Sequence, residues 1–141
     1  MKSYRDLEIY TISFDLGVKV HKASLKLPQY ELYEERGQIR RSSKGITSYI
    51  VEGYGRRRYK AEFIKFLVCA HASCDGTILH LSYIKATHDV DQREYQGFID
   101  SFDELGAKIN RFVEYVKHSW NKKTVDEPAT RNTKRATQIT R

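Results

Sequence analysis

Three consecutive arginines, Arg56, Arg57 and Arg58, are followed by Lys60 and preceded by two glycines, Gly53 and Gly55. The chemistry open to such a cluster is the holding of phosphate, because each guanidinium offers a rigid fork of donors that matches an anionic oxygen pair. Arg40, Arg41 and Lys44 lie a short way upstream and are candidates for the same work. Tyr54 and Tyr59 flank the run and are of a type that stacks on nucleic-acid bases. The competing account is a solvated helix face and an exposed corner, partly neutralised by Glu34, Glu35, Glu52 and Glu62, with the tyrosines packed at a helix junction. Solubility is served better by acids than by arginines, which favours phosphate contact for the cluster. Glu52 falls at the expected C-terminal end of a helix, where the dipole disfavours an acid, so it is expected to hold Arg40 or Arg56 rather than to catalyse.

The remaining chemically capable side chains form no recognisable reaction centre. His71, Cys74 and Asp75 are close in sequence and His80 follows, but zinc needs three or four ligands converging. These side chains point different ways on one helix, and Cys74 belongs to an apolar stripe. No HExxH, CxxC, Walker or nucleophile-elbow pattern occurs, nor the paired Glu-x-x-His of di-iron bundles. The expectation is a non-catalytic protein with no metal and no cofactor, in which His118 is simply a cation at a helix C-terminus.

These residues must be carried by one domain, since 141 residues suffice for a single core. The formal charge of +7 is unevenly spread: residues 121–141 hold six bases and two acids, and hardly any large apolar side chain. Residues 1–120 are therefore read as the folded unit and 121–141 as a mobile basic extension. Cys69 and Cys74 are too few for a disulfide scaffold. No apolar run approaches a membrane span and the N-terminus has acids where a signal peptide needs an apolar core, so the expected location is cytoplasmic.

Apolar residues recur at three- and four-residue steps in four segments, and no stretch alternates as a strand does. The first runs from about Arg5 to Lys26, started by Ser3 with Asp6 and ended by Pro28. It has two apolar stripes: Leu7, Tyr10, Phe14, Val18 and Leu25 on one face, and Ile9, Ile12, Leu16, Val20 and Leu27 on the other. A surface helix needs one stripe. Ile9, Ile12, Leu16 and Val20 are accordingly expected to meet a neighbouring subunit. The other segments run from about Tyr30 to Glu52, Tyr59 to Ala86 and Asp91 to Ser119, the last capped by Asp89 or Asp91. Ser42, Ser43 and Gly53 in the second are small enough to let another helix come close. Gly53 and Gly55 are expected to close that helix with positive φ. The fold class is all-α, an antiparallel up-down-up-down four-helix bundle.

The opening Tyr4-Arg5-Asp6-Leu7-Glu8-Ile9-Tyr10, the Arg40-Arg41 pair, and Glu52-Gly53-Tyr54-Gly55-Arg56-Arg57 leading into Lys60-Ala61-Glu62-Phe63-Ile64-Lys65-Phe66-Leu67 carry a resemblance. Over roughly Ser3 to Trp120 the chain resembles the four-helix-bundle family of proteins encoded in intervening sequences of bacterial 23S rRNA genes. The resemblance implies a bundle that assembles into a ring, usually a homopentamer, with nucleic-acid binding as its leading role. A related bundle is the accessory protein of diversity-generating retroelements, which implies RNA or DNA and a reverse transcriptase as partners. Two classes of function follow. In one, Arg40, Arg41, Lys44, Tyr54, Arg56, Arg57, Arg58 and Lys60 hold RNA or single-stranded nucleic acid with little base preference. In the other, the ring is an assembly module for a protein client such as a reverse transcriptase. Phosphate contacts lose affinity steeply with salt, whereas an apolar protein contact does not.

Overall fold

The computed structural model describes residues 3–28 and 33–120. Among them the chain forms four α-helices and no strand: α1, Glu8–Ser24; α2, Tyr33–Gly55; α3, Lys60–Thr87; and α4, Gln92–Tyr115. The basic extension expected over 121–141, and the start of α2 expected at Tyr30, lie outside the described residues. None of the described helices is long and apolar enough to cross a membrane.

The Ser3–Asp6 signal is real but serves a short 3-10 turn, Tyr4–Asp6. Ser3 Oγ accepts from the Arg5 amide at 3.1 Å and Asp6 Oδ2 accepts from the Ser3 amide at 3.1 Å. Leu7 then turns extended, which drops its side chain into the core, and α1 starts one residue later. Of the two caps expected for α4, Asp91 acts: its Oδ1 accepts from the amides of Arg93 (3.0 Å) and Glu94 (3.1 Å). A last π-helical turn, Val116–Trp120, carries α4 to its end.

Consecutive helices pack as neighbours and α4 closes back on α1 more lightly, so the helices form an antiparallel up-down-up-down bundle with α1 and α3 on one diagonal. Ile39, Ile46, Ile50, Phe63, Leu67, Leu81, Ile84, Phe102, Leu105 and Ile109 are fully buried between them. Each such side chain contributes about 1.5–3 kcal/mol by leaving water.

The α2–α3 pairing is the most extensive. The small residues of α2 make it so. Ser73 Oγ donates to the Ser42 carbonyl at 2.8 Å, and the Thr77 and Ser42 hydroxyls lie 2.9 Å apart. Gly53 plays the same part, as expected of a small residue there, but does not close the helix. Neither it nor Gly55 takes a positive φ, and both remain inside α2. A Cβ on Gly53 would stand 2.9 Å from Phe66 Cβ, so glycine here permits the close crossing of α3.

The two apolar stripes of α1 are assigned opposite to the expectation. Ile9, Leu16 and Val20 are buried in the bundle core and Ile12 is half-buried, so this face is not open to a neighbouring subunit. Phe14, Val18 and Leu25 are exposed instead. Transfer free energy does not separate two stripes of similar apolar size. The small residues between them do. Ser13 and Ser24 lie on the buried side and let α1 settle onto the bundle. The two serines bury without loss because they donate to the carbonyls of Tyr10 (3.0 Å) and His21 (2.7 Å). Thr47 of α2 donates to Ser13 Oγ at 2.9 Å across the contact.

Candidate nucleic-acid interface

The link between α2 and α3 is Arg56–Tyr59, so the three arginines are the corner itself. Their first task is local. The last carbonyls of a helix have no amide partner, and basic side chains at the C-terminus supply donors. Arg56 Nη1 donates to the Glu52 carbonyl and Arg57 Nη1 to the Tyr54 carbonyl, both at 3.0 Å. Positive charge at this corner thus has a structural use, the capping of α2. Arg56 also lies over the Phe66 ring at 4.3 Å and stands 4.0 Å from Glu62 Oε1. Glu52 does not hold an arginine through its carboxylate: Oε2 accepts from Ser48 Oγ at 2.8 Å.

A guanidinium has five donors, so one bond to a carbonyl leaves most of them available. Arg56 is exposed, Arg57, Arg58 and Lys60 are half-buried, and Tyr59 is 62% exposed. Tyr54 is different. It is 4% exposed and sits in an edge-to-face cluster with Phe63 and Trp120, at 6.3 and 6.4 Å between ring centres. It therefore cannot stack on a base, and the accessible ring of the pair is Tyr59. Arg57 covers the outer face of Tyr54 at 4.1 Å. Cation, phenol and indole thus form one contiguous cluster at this end of the bundle, the guanidinium over the phenol and the phenol edge-to-face with the indole.

The upstream basic residues are not part of the corner. Arg40, within α2, precedes Arg56 by 16 positions, about 24 Å along the axis. Arg41 and Lys44 are exposed, while Arg40 is half-buried and turns its Nε back to the Arg36 carbonyl at 3.3 Å. Arg40 and Lys44 instead approach His21 of α1. Burial, then Lys44 and Arg40, hold the His21 imidazole below its usual pKa. The structure therefore divides the expected set into two basic regions: the corner, and a patch on the α1–α2 seam.

His71 and Cys74 are engaged in packing. His71 faces Asp75 at 3.7 Å through Nδ1 and Asn110 at 3.1 Å through Nε2. Cys74 Sγ donates to the Phe102 carbonyl at 3.1 Å, and burial, then Asp75 and Asp103, push its thiol up to about 12. It is a protonated core residue. Among the described residues no three His, Cys, Asp or Glu side chains gather as metal ligands do.

Sequence reasoning missed the placement of Trp120. It sits within 5.2 Å of Phe63 and is 6% exposed, so the end of α4 is pinned beside the corner. The signal was present as the last residue of the α4 stripe, but periodicity does not say which link a helix end will reach.

Neither the curated proteins nor the solved structures contain a significant match to this chain. The family model of the 23S rRNA-intervening sequence protein does match, over residues 5–111, which takes in α1, α2, the arginine corner, α3 and most of α4. The bundle and its basic corner are thus features of a chain that belongs to the 23S rRNA-intervening sequence protein family.

Proposed function

We propose that this protein is a non-catalytic, ring-forming bundle that binds the phosphates of RNA or single-stranded nucleic acid through its arginine corner, with little base preference. One observation carries the reading. Arg56, Arg57 and Arg58 lie at the same end of the bundle as Trp120, the arginine corner linked to it through Arg57 and Tyr54, and the sequence that follows Trp120 carries a net charge of +4. Among the described residues no element presents a row of side chains suited to reading base edges, which favours an electrostatic contact. Five copies in a ring, the number that the family resemblance implies, would set the corners around one rim. Weak contacts at each corner would then gain from one another through effective concentration.

The test uses Arg56→Gln, Arg57→Gln and Arg58→Gln together, because glutamine keeps a donor for the helix carbonyls and removes the charge. Fluorescence anisotropy with single-stranded RNA, single-stranded DNA and duplex DNA is measured from 50 to 200 mM salt. The expected result is weaker binding and a shallower salt dependence, by about 0.7–0.9 in log–log slope for each phosphate that is no longer neutralised. Truncation after Trp120 is expected to weaken it further. An unchanged affinity and slope would show that the corner only caps α2. No binding by the wild type at low salt would favour a protein client.

A further inference from the structure

The arginines of the corner are not equally committed. Arg56 and Arg57 each give a donor to a carbonyl at the end of α2 and lie over the rings of Phe66 and Tyr54. The nearby acids are engaged as well: Glu62 stands 4.0 Å from Arg56, and Glu52 accepts from Ser48. Arg58 is different. Its Nε is buried without an acceptor, and its guanidinium makes no ion pair with a described residue. Lys60, the first residue of α3, likewise pairs with no described carboxylate.

Between these two cations stands Tyr59, 62% exposed. Its backbone is held on both sides: the amide donates to the Arg56 carbonyl at 2.9 Å, and the carbonyl accepts from the Phe63 amide at 3.0 Å. The ring has no aromatic or cationic partner among the described residues. Stability does not account for it. Tyr59 is the N-cap of α3, where Ser, Thr, Asp or Asn would accept from a first-turn amide, and the tyrosine makes no such bond. Nor does it belong to an apolar patch. The other described aromatic rings more than half exposed, Phe14 and Tyr83, have an exposed apolar residue one helical turn away, Val18 and Leu79. Tyr59 has Arg56, Arg57 and Arg58 before it and Lys60 after it.

A phenol ring fixed among cations with uncommitted donors suits one kind of ligand, a nucleobase whose face is open, carried on a phosphodiester chain. Every base has a π-face, so such a platform accepts all of them. The bases of a duplex offer only their edges in the grooves, because their faces are covered by the neighbouring pairs. We infer that Tyr59 is the stacking platform of the corner and makes it selective for unpaired bases of RNA or DNA, with Arg58 and Lys60 on the adjoining phosphates. This rests on the nucleic-acid reading proposed above and sharpens it. A duplex is held through phosphates alone, a single strand through phosphates and a base.

The test is Tyr59→Ser in the full chain, because serine supplies the missing cap and the variant is expected to melt no lower than the wild type. Labelled oligo(U), oligo(dT) and blunt RNA and DNA duplexes are titrated by fluorescence anisotropy at low salt, and the salt slope is taken for each. Loss of one stacked base is expected to weaken single-strand binding by roughly 5- to 150-fold and to leave the duplexes and every slope unchanged. A loss confined to oligo(U) or to oligo(dT) upholds the platform and assigns it to that nucleic acid. Tyr59→Trp should retain the single-strand affinity, since a larger ring stacks at least as well. Single-strand affinity equal to that of the wild type, or an equal loss on duplexes, overturns the inference. If the Arg56→Gln, Arg57→Gln, Arg58→Gln variant binds weakly in that same experiment, the phosphate reading stands without the platform. A wild type that binds no probe overturns both.

Discussion

The two seams of α2 are built from similar residues and close to different degrees. Against α3, Gly45 and Gly53 are in tight contact: an added Cβ would come within 3.1 Å of Ser73 Oγ and 2.9 Å of Phe66 Cβ. Against α1, Gly17 would place a Cβ with nothing within 4 Å, and a groove runs past it. A small residue in a helix thus has two uses. It draws a partner helix of the same chain inward, or it leaves a hollow. Only the neighbours across the seam distinguish them, because the propensity cost of about 0.5–1 kcal/mol relative to alanine is the same for both.

The same substitution at both seams should therefore act with opposite sign. The largest effect is predicted for Gly53→Ala. The Phe66 Cβ is fixed by the α3 backbone, so the helices must separate, and a loss of about 1–3 kcal/mol in chemical denaturation is expected despite the better helix former. A stabilised protein would mean that the α2–α3 seam is looser than the structure has it. Next in size is Gly17→Ala, expected to raise stability by about 0.5–1 kcal/mol because the new methyl meets nothing. Destabilisation there would show that the hollow is filled by the chain's own residues.

The smallest effect concerns pH and belongs to the open seam alone. His21 has its imidazole pKa lowered by burial, then by Lys44 and Arg40, while the unfolded chain titrates near the ordinary value of about 6.5. Below that pH the unfolded state takes up a proton that the folded state resists. Stability is therefore full above pH 6.5 and falls as pH drops through it, until the folded imidazole also protonates. His21→Gln should flatten thermal stability between pH 7 and 5.5, by less than either glycine effect. An unaltered slope would assign the dependence to another group.

The sequence made the bundle readable because its helices are long, periodic and well punctuated: Pro28 after α1, the Asp91 cap and the unbroken stripe of α4 from Tyr95 to Trp120. It misled wherever a choice depended on partners distant in sequence. The two faces of α1 are equally apolar, and only the meeting of Ser13 with Thr47, 34 residues on, shows which turns inward. Tyr54 looked like a stacking ring because it stands beside arginines. Its burial comes from Phe63 and Trp120, and the latter is 66 positions away. The arginine cluster itself was plain, but its capping role required knowing that α2 runs on through both glycines to Gly55.

Trp120 is the one tryptophan in the chain, and it lies where α4 ends beside the corner. Its emission can be excited apart from that of the ten tyrosines and responds to the polarity of the shell around the indole. That shell includes Tyr54, whose outer face is covered by the Arg57 guanidinium. Any anion that drew Arg57 away would wet the cluster and alter the light the indole emits. The protein thus carries a built-in optical gauge of its most basic end, readable in a cuvette without dye or label.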